Sequence, residues 1–146
     1  MIDEEQQQFS NAMGDTLASW NLSRATGRVY GYLLLRGTPS TSEELRANLG
    51  LSAGAVSSSI RELVSWGLAR TIAQSGSRRL LVEAAGGFEQ LLSASHERSR
   101  AFIRTLRAAQ SLTEDDGAAQ RLRDVTDLFA AYIEAGEQML NSRKHI

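Results

Sequence analysis

The chain has 146 residues, 42% of them hydrophobic and 23% charged, with 16 basic and 17 acidic side chains and a net charge of −1. That balance suits one soluble globular domain with a real core, and no stretch approaches the ~20 apolar residues of a membrane span. Cysteine is absent, which excludes disulfides, thiolate metal sites, thiol redox sensing and cysteine nucleophiles, and the acidic N-terminal stretch lacks a signal-peptide core, so the expected location is the cytoplasm.

The first predicted helix runs from Asp3 to Trp20, with Phe9, Met13, Leu17 and Trp20 on one stripe. Asn21 and Ser23 punctuate the chain, and Ser23 to Leu35 reads as a second helix. Its Gly27 and Gly31 are four apart, which lets a neighbouring helix approach closely in a soluble core. Thr41 and Glu44 have the spacing of a capping box, in which each side chain satisfies an orphan backbone N–H. Leu45 and Leu49 then share a face, and Gly50 suits a left-handed helix end. This third helix is about two turns long.

Ser52 is the expected cap of the next helix. Val56, Ile60, Leu63 and Val64 form its predicted buried stripe, and Gly67 ends it. The opposite face carries Ala53, Gly54, Ser57, Ser58 and Arg61. Small side chains let a recognition helix sit deep in the major groove, serine hydroxyls exchange hydrogen bonds with base edges, and arginine reaches a guanine edge or a phosphate. Three consecutive serines are poor helix formers for a face that is merely solvated.

Leu68 to Gln74 and Leu80 to Ala84 read as strands around Ser75-Gly76-Ser77, with Gly76 supplying the positive φ of the hairpin. Arg78 and Arg79 fall at or just past its tip. One of them could enter a narrow minor groove and the other hold a phosphate or a neighbouring carboxylate. The layout is mainly α with a small β-hairpin wing, that is, a winged helix-turn-helix with N- and C-terminal dimerisation helices. The expected segments are 1–22, an N-terminal dimerisation helix; 23–85, the DNA-binding module; and 86–146, the C-terminal dimerisation helices, all within one structural domain.

After Gly86-Gly87, a helix is predicted from Phe88 to Ser111, with Phe88, Leu91, Leu92, Phe102, Ile103 and Leu106 apolar. Thr113 is the expected cap of a final helix reaching about Asn141. Leu122, Val125, Leu128, Phe129, Tyr132, Ile133, Met139 and Leu140 line it, and Phe129, Ile133, Gly136 and Leu140 keep a 3–4 spacing. Two such helices carry more apolar surface than one small winged module covers, which predicts a second copy of the chain interleaved about a two-fold axis.

Charge divides the chain as the motif does. From Ser23 to Ala84 eight arginines face four glutamates, a net +4, and the remainder is −5. Phosphate contact is therefore expected of the middle alone, through side chains suited to bidentate contacts. His96, inside a predicted helix, and His145, at the tail, form no metal-ligating pattern, and no cofactor is expected. There is no Ser/His/Asp arrangement, phosphate-binding glycine loop or paired carboxylate cleft, so the chain is not expected to be an enzyme; Asp115-Asp116 reads as a helix start.

The stretches Ala25 to Leu35, Ser42 to Leu45 and Leu51 to Leu63 resemble the MarR (multiple antibiotic resistance regulator) family, in its GbsR-like branch, and are similar to actinobacterial regulators of lipid- and drug-efflux transporters. The resemblance implies a homodimeric winged-helix regulator, usually a repressor, that grips a near-palindromic duplex and is released by a small lipophilic ligand. It places DNA recognition on Ser52 to Arg61 and matches Arg79 to a wing arginine. Ser77 stands where the family's Asp-x-Arg wing pattern has aspartate, so the resemblance leaves the rigidity of the wing open. The family's ligand pocket maps onto Trp20, Tyr30, Phe88, Leu91 and Phe102, which as plain core residues need no ligand. The competing reading is a winged-helix protein-interaction module without DNA binding.

Overall fold

Asp3 opens the first helix, α1 (Glu4–Ala18), by a complete capping box: its carboxylate accepts from the Gln6 N–H while the Gln6 side chain accepts from the Asp3 N–H. The computed structural model describes residues 2–143, so His145 lies outside the described residues. The chain falls into two compact units, residues 1–88 and 89–146. In the first, α1 packs along α2 (Arg24–Leu34), which Ser23 caps. Small residues set this crossing. A Cβ at Gly27 would stand 2.5 Å from the Met13 carbonyl oxygen and 2.6 Å from the Gly14 Cα. Gly27 and Gly31 thus do what their spacing predicts, with α1 as the partner.

Next come strand β1 (Ser40–Thr41), helix α3 (Ser42–Leu49), helix α4 (Ala53–Ser65), and strands β2 (Ala69–Ala73) and β3 (Leu80–Ala84). The sheet is antiparallel with order β1-β3-β2. The sequence indicates two strands; β1 is a third, and its Ser40 pairs with Val82. Thr41 caps α3 as expected, accepting from the Glu44 N–H at 3.1 Å. Glu44 turns its carboxylate towards Arg36, 4.0 Å away, so only the threonine half of the predicted box is present among the described hydrogen bonds. Leu45 and Leu49 are buried and Gly50 takes φ +65°.

The buried stripe of α4 differs from the predicted one. Val56 and Leu63 are in the core as expected, but Ser59 joins them, while Ile60 is half-buried and Val64 is 42% exposed. The helix is rotated towards the line Val56-Ser59-Leu63, which faces the α2, α3 and β2 elements that α4 packs against. The third serine of the run is therefore a core residue, with its hydroxyl unpartnered among the described residues.

The second unit is an antiparallel pair: α5 (Phe88–Ala109), whose first residue still belongs to unit 1, a 3₁₀ turn over Gln110–Leu112, and α6 (Asp116–Arg143). Ion pairs and rings lace it. Arg143 lies 3.3 Å from Glu89, and Phe102 meets Phe129 edge-on at 5.0 Å. His96 Nδ1 is 3.0 Å from Glu137, which Arg100 also holds at 2.7 Å. Hydrogen bonds from Arg100 and His96 keep the Glu137 carboxyl below its usual range. Gly136 makes room for the His96 ring, 2.7 Å from where its Cβ would be. His96 thus joins two helices.

One expectation for α6 is corrected. Its cap is Asp115, which accepts from the Ala118 N–H at 2.8 Å; Thr113 instead accepts from the Asp115 N–H. Aspartate is the stronger cap, so the helix starts two residues later than a Thr113 cap predicts. The apolar side chains also split into two stripes. Thr126, Ile133 and Leu140 are buried, whereas Val125, Leu128, Tyr132 and Met139 lie exposed at i, i+3, i+7 and i+14. No helix among the described residues is long and apolar enough to cross a membrane.

Candidate nucleic-acid interface

The first turns of α4 stand free. Ser52 is occupied as the cap, its hydroxyl accepting from the Ala55 N–H at 3.1 Å. Ala53, Gly54, Ser57, Ser58 and Arg61 are all exposed, and Gly54, Ser57, Ser58 and Arg61, at i, i+3, i+4 and i+7, share one face. The side chains of Ser57, Ser58 and Arg61 make no hydrogen bond or ion pair among the described residues, and nothing stands within 4 Å of a Cβ added at Gly54. A face of small donors and acceptors with one long cation is chemically suited to base edges.

Ser77, which stands where the family pattern has aspartate, makes local hydrogen bonds within the wing. The Ser77 hydroxyl accepts from the Arg79 N–H at 3.1 Å, and the Ser77 N–H donates to the Gln74 carbonyl at 3.1 Å. Ser77 thereby holds the backbone at the wing arginine, as a short polar side chain does in an ST turn. Strand pairing stops at Ala73 and Leu80, so Arg78 and Arg79 sit in the loop and not on alternating strand faces. Arg79 reaches back to Glu43 at the start of α3, 3.3 Å away. Both partners are exposed, so the pair holds weakly and a phosphate can take Arg79 over.

The eight arginines of the middle do not act alike. Arg24 pairs with Asp15, and Arg70 pairs with Glu83 directly across the β2–β3 ladder. Arg36 stacks on Tyr32, 5.2 Å from the ring centre. Arg28 turns inward and donates to the Leu49 carbonyl at 2.8 Å; burial and the neighbouring Arg24 lower its pKa. Arg46, Arg61 and Arg78 have no side-chain partner among the described residues. Arg46, exposed on α3, was missed by the sequence reading because nothing in its spacing distinguishes it from the paired arginines.

Of the five residues expected around a ligand, Trp20, Tyr30 and Phe88 lie in the first unit and Leu91 and Phe102 in the second. Trp20 meets Phe88 edge-on at 5.2 Å, and Tyr30 lies 6.0 Å from the same ring. Burial raises the Tyr30 pKa. Phe102 is about four turns further along α5 and packs on Phe129 instead. Leu91 is buried.

A curated relative, the HTH-type transcriptional regulator MmpR5 of Mycobacterium tuberculosis, is 31% identical over 130 residues, covering 84% of this chain and 77% of its own. The chain belongs to the MarR family. A crystal structure of a transcriptional regulator superposes with a TM-score of 0.64 at 24% identity, covering 97% of this chain and 99% of that one, so the two chains share a fold. A scan against protein-family models gives no match.

Proposed function

We propose that this MarR-family chain is a homodimeric, sequence-specific DNA-binding repressor of the cytoplasm, released by a small lipophilic ligand. The observation that carries the reading is the unoccupied face of Gly54, Ser57, Ser58 and Arg61 beside Arg78 and Arg79. The serines and Arg61 read base edges in the major groove; the wing arginines hold the minor groove and its phosphates. Two copies present two such helices about one turn of DNA apart, which calls for a near-palindromic site. The Trp20, Tyr30 and Phe88 rings are the apolar group that a lipophilic effector meets. The reading assigns no catalytic role and no cofactor.

Fluorescence anisotropy on duplexes from the gene's upstream region and on scrambled DNA, across a salt series, tests it. Specific binding that weakens steeply with salt, one dimer per site, is expected. Absence of binding at low salt would move the reading to a protein-interaction module. Arg79→Ala is expected to weaken both duplexes alike and to make the slope of log affinity against log salt shallower by about one. A change confined to the specific duplex would mean that Arg79 reads bases.

The exposed α6 stripe supports the homodimer. Leu128 and Tyr132 are 68% and 67% exposed in the single chain, more apolar surface than a monomeric helix usually leaves in water. Leu128→Glu is expected to shift the protein from dimer to monomer in sedimentation velocity. A dimer that survives it unchanged would place the interface elsewhere.

A further inference from the structure

Three polar contacts from helix α2 and its cap reach the two helices of the DNA-reading pair. At the start of α2, the Ser23 N–H donates to the Glu62 carboxylate of α4 at 3.3 Å. One turn on, Arg28 Nη2 donates to the carbonyl of Leu49, the last residue of α3, at 2.8 Å. One turn further, the Tyr32 hydroxyl accepts from the Asn48 side chain at 2.9 Å. Arg28 and Tyr32 therefore grip consecutive residues immediately before the turn into α4.

Of the three, Arg28 has the strongest lever. Its cation sits at the C-terminal end of α3, where the last carbonyls lack helical partners and the helix dipole is negative. The Gly50 and Leu51 N–H groups both go to the Arg46 carbonyl, so the Leu49 carbonyl takes its hydrogen bond from Arg28. The stem of Arg28 is itself seated by α1. A Cβ at Gly14 would stand 2.9 Å from Arg28 Cγ, and the Ser10 hydroxyl donates to the Arg28 carbonyl at 2.7 Å. Its Nε is buried without a hydrogen-bond partner among the described residues, so the guanidinium is aimed at Leu49 at the expense of its own full satisfaction.

We infer that Arg28 is a positioning residue for DNA recognition: seated on α1, it fixes the end of α3 and hence the angle at which α4 leaves the turn. This rests on the DNA-binding reading for its functional consequence, though not for its geometry. A helix presented at a loosened angle keeps its phosphate contacts and loses base registration, because phosphates position and bases specify. The signature is thus a loss of discrimination without a loss of salt dependence.

The test uses the full chain as wild type, Arg28→Met, Arg28→Lys and Val29→Ala. Val29 is a buried neighbour on the same helix and serves as the control for plain destabilisation. Wild-type protein first selects a duplex from a random pool, and anisotropy then compares the selected duplex with a scrambled one across salt. Arg28→Met is expected to reduce the ratio of the two affinities about tenfold, as for the loss of a charge-assisted hydrogen bond, with an unchanged salt slope. Arg28→Lys, which keeps a donor at the end of a long stem, should restore most of the ratio. Val29→Ala should lower the thermal midpoint and leave the ratio alone. An unchanged ratio in Arg28→Met overturns the inference, as does an equal loss in Val29→Ala. So does a uniform loss with a shallower slope, the mark of a direct phosphate contact.

If wild type selects no duplex, the DNA-binding reading fails, and amide exchange decides the role of Arg28 alone. Faster exchange from Gly50 to Ala55 in Arg28→Met, with α2 amides unchanged, supports it. Unaltered exchange there overturns it.

Discussion

Gly27→Ala is expected to destabilise the protein by about 3 kcal/mol, at the upper end of what overpacking costs, and to lower the thermal midpoint by on the order of 10 °C. Two effects oppose each other at this position. Helix propensity favours alanine over glycine by about 1 kcal/mol. Against that, the added methyl would stand 2.5 Å from the Met13 carbonyl oxygen and 2.6 Å from the Gly14 Cα. Both obstacles are backbone, so no side-chain rotation relieves the contact, and α1 has to move off α2. Packing therefore wins. Gly54→Ala is the counter-experiment, since nothing lies within 4 Å of a Cβ there and only propensity acts. Thermal unfolding followed by circular dichroism should give shifts of opposite sign, and a Gly27→Ala midpoint at or above wild type would refute the close crossing.

Arg61→Ala is expected to cost about 1–3 kcal/mol in binding to the specific duplex, some five- to 150-fold in affinity, while leaving stability within about 0.5 kcal/mol of wild type. The stability half follows from the fold: Arg61 is exposed and makes no hydrogen bond or ion pair among the described residues. The binding half follows from its place one turn beyond Ser57 on the free face of α4. Anisotropy against specific and scrambled duplexes separates the roles. Loss on the specific duplex alone marks a base contact. Equal loss on both, with a shallower salt slope, marks a phosphate contact. No loss on either would remove Arg61 from the interface.

Local rules made much of this architecture legible. Ser23, Thr41 and Ser52 all cap the helices that they precede, because a short hydroxyl side chain satisfies an N–H two or three residues on wherever the chain goes next. Leu45 and Leu49 lie on the face that their spacing dictates. What stayed hidden depends on tertiary partners. β1 is two residues long and has no period to detect; it exists because β3 offers it an edge. Ser59 is buried and Val64 exposed because the angle of α4 is set by its neighbours, and a stripe four residues wide leaves that angle free by about one position. Thr113 and Asp115 both have the chemistry of a cap, and composition alone does not rank two candidates two residues apart. On the candidate interface, residue types pointed to Ser57, Ser58, Arg61, Arg78 and Arg79. Which arginines are already paired, and that Arg46 is not, required coordinates.

The stripe of Val125, Leu128, Tyr132 and Met139 along α6 has a consequence for how the protein persists at low copy number. If a second chain covers it, folding and association are linked by mass action, and the thermal midpoint falls with each dilution. A regulator made in a few copies would then sit nearer its unfolding threshold than the same protein in concentrated solution. Its abundance would be set partly by its own expression level, since chains without a partner are the ones that proteases meet first.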